Sequence, residues 1–359
     1  MKIVHIFHYP GQGGSEQYAY LLSKYAIKDG NSVEFIFGSE GPFVARAEEL
    51  GCKIHFVDMK SIYDVGAIIN LVRMFKKIRP DVVHTHHLRE NFLSIIAAKF
   101  SPVKAVISTM HWIEPKSRFK AFAEHIYSLG LDKFIAVSEL AKDYLQSEGI
   151  SKKKIEVIYN GIEVGPVNKE AILKEIGLTK YDKIIVNVSR FTAEKGQKTL
   201  IEAFSKVTDD KARLVLVGAG ELLENSKKLA ESLFVKDKII FVGGRNNGYE
   251  IMSIADVYVQ PSEMEAFGLS VIEAMMQGIP VIASIVKAHE IVLDHGKFGT
   301  LYSSEDADDL AQKLNEALNN PKIAIEKAMK AKEYAFRNYT AEKMWKNTNS
   351  LYIKLSKKG

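Results

Sequence analysis

One cysteine, Cys52, stands in a chain of 359 residues, so no disulfide can form within it. That usage fits a reducing compartment, and a cytoplasmic protein is expected. Long apolar runs are also missing. No stretch approaches the roughly 18 apolar residues of a membrane span. The N-terminal MKIVHIFHYP has a short apolar run that stops at Pro10 and Gly11. It is too short for the apolar core and cleavage site of a signal peptide and reads as a first buried strand. Neither sign of charge dominates: 49 Lys and Arg against 44 Asp and Glu leave a net +5. With no recognition helix and no zinc spacing, nucleic acid is not an expected partner. Nothing is low-complexity or collagen-like. What is present is a hydrophobic fraction of 47% in a length that favours two domains.

Short β-rich runs alternate with helical periodicity throughout. Strands are expected near Lys2–Phe7, Ser32–Phe37, Lys53–Phe56, Asp81–His84, Ala105–Ser108, Lys133–Val137 and Ile155–Ile158. The alternation restarts with Lys183–Val188, Arg213–Val217, Ile239–Val242, Val257–Val259 and Val281–Ala283. Helices are expected at Ser15–Lys28, Val65–Ile78 and Glu139–Ser147, among others. Strand–helix alternation implies parallel sheets with helices on both faces. The fold class is therefore α/β, two Rossmann-like domains facing each other across a cleft. Gly165 and Pro166 in EVGPVNKE break the pattern, which sets the domains at 1–165 and 166–339. The amphipathic end of the chain, 340–359, is expected to cross back to the N-terminal domain. Ligands should bind between the domains, at the carboxyl ends of the strands.

The segment PSEMEAFGLSVIEAMMQGIP, 261–280, is the most informative. Glu265 and Glu273 stand eight positions apart around a Phe-Gly-Leu turn that opens an apolar helix. The first N–H groups of that helix, from about Phe267 to Ser270, lack intrahelical partners and lie at the positive end of its dipole. Such an end holds a phosphate, and Gly268 lets backbone approach it closely. Glu273 can accept hydrogen bonds from the vicinal hydroxyls of a ribose, and Glu265 can reach a ligand's far portion. Acids beside a phosphate site favour a nucleotide-sugar, which offers the donors that carboxylates want. The plainer alternative is an amphipathic helix with solvated acids.

Other turns carry weaker signals. NVSRFTAEKGQ, 187–197, puts Arg190 and Lys195 on one loop before a helix near Gln197, which suits a diphosphate or an ordinary surface loop. HYPGQGGSEQ, 8–17, frees the backbone at Gly11, Gly13 and Gly14 before a helix capped by Ser15. It lacks a strict G-x-G-x-x-G and reads as a loop closing over a ligand. VGAGE, 217–221, with Gly218, is either an N–H nest or tight packing. Phe241 to Arg245 ends a strand where backbone could meet a nucleobase. His84, His86 and His87 cluster, but no carboxylate or cysteine matches them and adjacent strand residues face opposite ways, so no metal is expected. His111 ends the strand Ala105–Ser108 and faces the cleft. From Lys99 to Lys120, basic Lys116, Arg118 and Lys120 interleave with Trp112, Phe119 and Phe122. This stretch is either a weak dock for an anionic membrane surface or a solvated helix with core aromatics.

Together these residues resemble the family 4 retaining glycosyltransferases, of GT-B architecture, over nearly the whole chain. The most specific piece is PSEMEAFGL with the Glu265–Glu273 spacing. Supporting pieces are Gly13-Gly14 with Glu16, the His111 strand end, Asn160 to Glu163, Ser189 to Phe191 with Lys195-Gly196, and Gly218 to Gly220. The resemblance implies transfer from a nucleotide-sugar, UDP-linked, to a hydroxyl of a glycan, lipid-linked or small-molecule acceptor, in cell-surface polysaccharide or glycolipid synthesis. The basic and aromatic stretch adds the expectation of peripheral contact at the cytoplasmic face of a membrane. It implies that Arg190 and Lys195 hold the diphosphate, Glu273 the ribose and Glu265 the sugar hydroxyls. Phe267, Gly268 and Leu269 would supply N–H groups, with Gly14, Gly218 and Arg245 lining the donor and His111 the sugar. No metal and no cofactor are expected, since cations and a helix end take the leaving-group charge. Retention would follow from front-face attack or from double displacement through Glu265. An epimerase or a non-catalytic nucleotide-sugar binder are the other classes; a phosphorylase would need a pyridoxal lysine context that is missing. The chain departs from the family in two places. Glu163 replaces Asp, and Val286-Lys287-Ala288-His289-Glu290 replaces a Gly-Gly loop, changing the approach to the donor sugar.

Overall fold

The computed structural model describes residues 1–111, 129–245 and 248–357. The chain divides into two compact units, Met1–Gly161 with Tyr339–Gly359, and Ile162–Asn338. Gly161 stays with the first unit because it packs directly on the C-terminal helix, where a Cβ would stand 2.6 Å from Ala341 Cα. The turn-rich 163–170 segment follows it.

The first unit holds seven strands: β1 (Lys2–Phe7), β2 (Ser32–Phe37), β3 (Lys53–Phe56), β4 (Val82–Thr85), β5 (Ala105–Met110), β6 (Lys133–Ala136) and β7 (Ile155–Val157). They form one sheet in the order β3-β2-β1-β4-β5-β6-β7, with every pairing parallel. Both faces are covered, so the central strands are continuous apolar runs. Ile3 and Phe7 enter a core with Tyr18, Trp345 and Tyr352, while Val4 and Ile6 enter the opposite core with Leu71 and Phe75. His5 shares the face of Ile3 and Phe7 by the two-residue period. In the register His5 lies beside His84, which brings two imidazoles from distant sequence onto neighbouring strands.

Local chemistry sets the helix ends. Asp64 caps Val65–Ile78 by accepting from Ala67 N, and Ser138 caps Glu139–Ser147 through Ala141 N. The glycine loop is a correction. Its helix is Gly14–Lys28 with Gly13 at the N-cap, and Ser15 does not cap it. Glu16 does so instead, because a carboxylate on this longer side chain can fold back over the loop. It accepts from Gly11 N at 2.9 Å, Gly13 N at 3.0 Å and Ser15 Oγ at 2.8 Å.

The C-terminal helix, Ala341–Ser356, belongs to the first unit. Trp345 and Tyr352 are buried there, and Trp345 Nε1 donates to Asp29 Oδ2 at 2.6 Å. None of the described helices is long and apolar enough to cross a membrane.

The second unit repeats the plan with β8 (Lys183–Val188), β9 (Ala212–Val217), β10 (Ile239–Gly243), β11 (Val257–Gln260), β12 (Val281–Ser284) and β13 (Thr300–Tyr302). The order is β10-β9-β8-β11-β12-β13, again parallel. β13 is an addition to the strands expected from sequence: it has three residues, too few for a readable period. The chain reverses direction across the sheet between β8 and β11, and in the first unit between β1 and β4. Loops diverge there at the carboxyl ends, which opens a crevice for a ligand.

Candidate active site

In the second unit the loops after β8 and β11 meet at this switch point. Gly196, at φ +65°, is pressed so hard on the Pro261 carbonyl that no side chain fits. Glu263 N donates to Glu194 O at 2.9 Å and ties the two loops further. The result is that Lys195 Nζ lies 2.7 Å from Glu265 Oε1, with the side chains only 15% and 16% exposed. Ser262 Oγ donates to the same carboxylate oxygen at 3.1 Å and Gln260 Nε2 at 3.4 Å. Two residues that stand out separately in the sequence thus form one mostly buried, hydrogen-bonded ion pair.

The glycines of VGAGE pack tightly. A Cβ on Gly218 would stand 1.9 Å from Ser189 O, and one on Gly220 would stand 2.3 Å from Phe191 O. They let β9 end against the loop that carries Arg190 and Lys195. Arg190 itself is 60% exposed and reaches Glu194 at 3.2 Å. Arg245, at the end of β10, is paired with Glu175 at 2.6 Å and lies apart from the Lys195–Glu265 pair in its bonding.

The helix after this loop is Leu269–Gln277, with Gly268 at its N-cap in the left-handed region. Its oxygen accepts from Val271 and Ile272, so the N–H groups of Leu269 and Ser270 lie ahead of the first intrahelical bond. Phe267 is buried beneath. Glu273 lies on the same helix. Although its side chain keeps partial exposure, burial pushes its carboxyl up to about 7. Tyr258, wholly buried, bonds Gln260 Oε1, and burial raises its phenol above the ordinary value, with the nearby Glu273 and Glu265 adding to the rise.

His289 stands out in the sequence only as part of an unusual loop. It is fully buried, and its ring Cδ2 lies 3.5 Å from where a Gly268 Cβ would be. Its Nδ1 is 3.0 Å from Ser284 O and 3.3 Å from Ser284 Oγ. Ser284 Oγ donates to Ser262 O, so both atoms facing Nδ1 accept and Nδ1 carries the proton. His289 thereby ties the short helix Lys287–Val292 back to Ser284 at the end of β12 and fills the space beside Gly268, an arrangement that no local sequence pattern announces.

In the first unit, His111 follows β5 and is partly exposed. Gly14 begins the helix that also carries Tyr18, whose ring sits edge-on to His111 at 5.0 Å. Behind His111 is a stack of imidazoles. His86 Nδ1 lies 3.1 Å from His111 Nε2, and His86 Nε2 lies 3.1 Å from His5 Nδ1. His84 bonds Tyr352 OH at 2.5 Å through Nδ1 and Thr109 Oγ1 at 2.6 Å through Nε2. His84 and His86 share a face, and the third member of the cluster is His5 rather than His87, because strand pairing decides the neighbour. The ring nitrogens of His5, His84 and His86 come within 4.8 Å of one another. His84 spends both ring nitrogens on Tyr352 and Thr109, and His86 Nε2 faces His5 Nδ1, so the protein's own groups engage these nitrogens. Burial drives all of these imidazoles neutral, His5 and His111 to about 3.

The basic and aromatic side chains Trp112, Lys116, Arg118, Phe119, Lys120 and Phe122 lie outside the described residues.

Two doubly wound parallel sheets with cations, acids and a helix start at a switch point define an α/β enzyme of GT-B architecture. Similarity to known proteins extends over both halves. Residues 12–165 match the model of Glycosyltransferase Family 4, and residues 168–338 match that of Glycosyl transferases group 1. The chain belongs to the family 4 glycosyltransferases. It is 24% identical over 363 residues to the N-acetyl-alpha-D-glucosaminyl L-malate synthase of Bacillus anthracis, covering 96% of this chain and 94% of that protein. It is 27% identical over 272 residues to an Escherichia coli UDP-Gal:alpha-D-GlcNAc-diphosphoundecaprenol alpha-1,3-galactosyltransferase, covering 70% of each. The solved structure of Anabaena Alr3699/HepE in complex with UDP and glucose matches the fold with a TM-score of 0.86 at 18% identity, over 98% of this chain and 99% of that one.

Proposed function

We propose that this glycosyltransferase moves a sugar from a UDP-sugar to a hydroxyl of a lipid-linked, glycan or small-molecule acceptor in polysaccharide or glycolipid synthesis, with retention of configuration and without a metal. The observation that carries the reading is the Lys195–Glu265 pair at the carboxyl ends of β8 and β11. A nucleotide-sugar offers the charges that this pair lacks: an anionic diphosphate for Lys195 and hydroxyl donors for Glu265. Each partner is held in place by the other until the ligand replaces it.

As the sugar–phosphate bond breaks, negative charge grows on the diphosphate. Lys195, Arg190 and the N–H groups at Leu269 and Ser270 are set to stabilise it, the role a divalent cation fills elsewhere. Glu265 holds sugar hydroxyls and Glu273 the ribose, and Gly14 and His111 are further donor-lining residues. The leaving phosphate then takes the acceptor's proton as the acceptor oxygen attacks from the same face. The names of the two relatives, one of which specifies L-malate and the other UDP-galactose and a diphosphoundecaprenol acceptor, support a UDP donor and either acceptor type. A lipid-linked acceptor calls for weak contact with an anionic leaflet. The basic and aromatic stretch 112–122 is the candidate, since each basic side chain near such a surface contributes about 1 kcal/mol.

The test is to incubate the protein with UDP-glucose, UDP-galactose and UDP-N-acetylglucosamine, each with L-malate or undecaprenyl-diphosphate-linked sugar, and to weigh the products. A new glycoside with α-configuration supports the reading. Interconverted UDP-sugar without acceptor product indicates an epimerase instead, and binding without turnover a non-catalytic module.

A further inference from the structure

A neutral imidazole carries one N–H, and this ties three histidines of the first unit together. His86 uses both ring nitrogens, Nδ1 toward His111 Nε2 and Nε2 toward His5 Nδ1, each at 3.1 Å. If His86 holds its proton on Nδ1, it donates to His111, so His111 must be bare at Nε2 and protonated at Nδ1. Its own Nε2 then accepts, so His5 must be protonated at Nδ1. If His86 holds the proton on Nε2, the same reasoning protonates all three at Nε2. Any mixed set opposes two lone pairs or two N–H groups across a buried contact. The three rings therefore share one tautomer.

Passing from one set to the other is closed to internal proton movement alone. One proton must leave His111 Nδ1 while another enters at His5 Nε2. His5 is 1% exposed, with Phe35 stacked on it at 5.2 Å. His86 is 3% exposed and covered by Phe7 at 4.4 Å and 11°. Adding a proton without removing one puts charge into this apolar stack, where burial keeps the rings neutral. His111 also has a single nitrogen left for a ligand, Nδ1, because Nε2 faces His86.

We propose that His86 is a positioning residue which, backed by His5, locks His111 in one neutral tautomer and so gives its remaining nitrogen, Nδ1, a single hydrogen-bonding role. The inference rests on the reading of His111 as a residue that lines the donor sugar. A fixed role at Nδ1 distinguishes a sugar group that donates from one that only accepts, and keeps a positive charge away from the cationic sugar that forms as the bond breaks.

The full chain, labelled with ¹⁵N-histidine, reports tautomers directly, since protonated and bare ring nitrogens differ widely in shift. His5, His86 and His111 should show the same tautomer. In His86→Phe, which keeps the stack but removes both nitrogens, His111 should become a tautomer mixture. Its kcat with the UDP-sugar that the wild type consumes fastest should fall about tenfold, with KM within twofold. His86→Asn places a polar group where Nδ1 stood and should restore His111 to one tautomer and most of kcat, whereas His86→Gln should not. Differing tautomers among the three wild-type rings overturn the proposal. So does an unchanged His111 tautomer and kcat in His86→Phe. So does an Asn variant as impaired as the Phe one. If His86→Phe fails to fold, the wild-type spectrum and the Asn variant decide. Should the wild type consume no UDP-sugar, the functional reading fails while the spectra still decide the lock.

Discussion

Gly196 lies against the carbonyl of Pro261 so closely that a Cβ there would stand 2.1 Å from the oxygen. This approach sets Lys195 and Glu265 within bonding distance although the sequence separates them by 70 positions. Gly196→Ala is expected to push the two loops apart and lower turnover at least tenfold, with a loss of about 1–3 kcal/mol in stability. Gly177→Ala is the control. Gly177 has a similar φ of +77°, but a Cβ there would meet nothing within 4 Å, so it should lose stability and keep turnover. Equal kinetic effects in the two variants would show that strain, and not the loop contact, matters.

Lys195 and Arg190 should separate in the same way. Lys195→Ala strands the mostly buried Glu265 carboxylate and removes a cation from the site, so both Tm and turnover should drop, turnover by about two orders of magnitude or more. Arg190 is exposed and pairs with Glu194. Arg190→Ala should leave Tm unchanged and reduce turnover alone. Thermal melts beside steady-state rates distinguish them; wild-type turnover in Lys195→Ala removes it from the diphosphate site.

Most of the architecture is legible because parallel strands buried on both faces are unbroken apolar runs, and Gly or Pro marks their ends. β13 escapes because Thr300, Leu301 and Tyr302 form no period. The site is legible in its ingredients and not in its assembly. Glu265, Lys195 and the Gly268 turn announce themselves by residue type, but their meeting depends on the Gly196 contact, which no local pattern encodes. The two-residue spacing of His84 and His86 places them on one face, yet their partner His5 comes from strand register. Arg245 looks in the sequence like a ligand for the nucleotide, and its bond to Glu175 depends on a helix 70 positions earlier.

Transfer should survive EDTA. On the proposed function Lys195, Arg190 and the start of the Leu269–Gln277 helix carry the leaving-group charge, and a chelator would then have nothing essential to remove. Loss of activity in EDTA with recovery on adding Mg²⁺ or Mn²⁺ would refute this account of the diphosphate.

Glu273 provides the pH test. Its carboxyl is pushed from 4.5 to about 7 by burial, so the folded state keeps a proton that the unfolded chain has already lost. Between these two values the native state binds more protons, and stability must fall as pH rises. Below 4.5 both states are protonated and the effect is absent; above 7 both are ionised and the penalty is constant, at most about 3 kcal/mol and smaller to the extent that solvent reaches the group. Glu273→Gln cannot ionise. Its Tm relative to wild type should therefore climb between pH 4.5 and 7 and stay level at higher pH. Donor binding should run the other way. Ribose hydroxyls bond the ionised carboxylate more strongly, so UDP-glucose, whose diphosphate does not titrate in this range, should bind wild type more tightly as pH rises through about 7. The Gln variant should bind it more weakly, by roughly tenfold at about pH 8, with no such dependence. Calorimetry at several pH values measures both. A Tm difference that ignores pH would mean that Glu273 is ionised throughout. A UDP-glucose affinity equal in the two proteins at about pH 8 would remove the side chain from the nucleotide site.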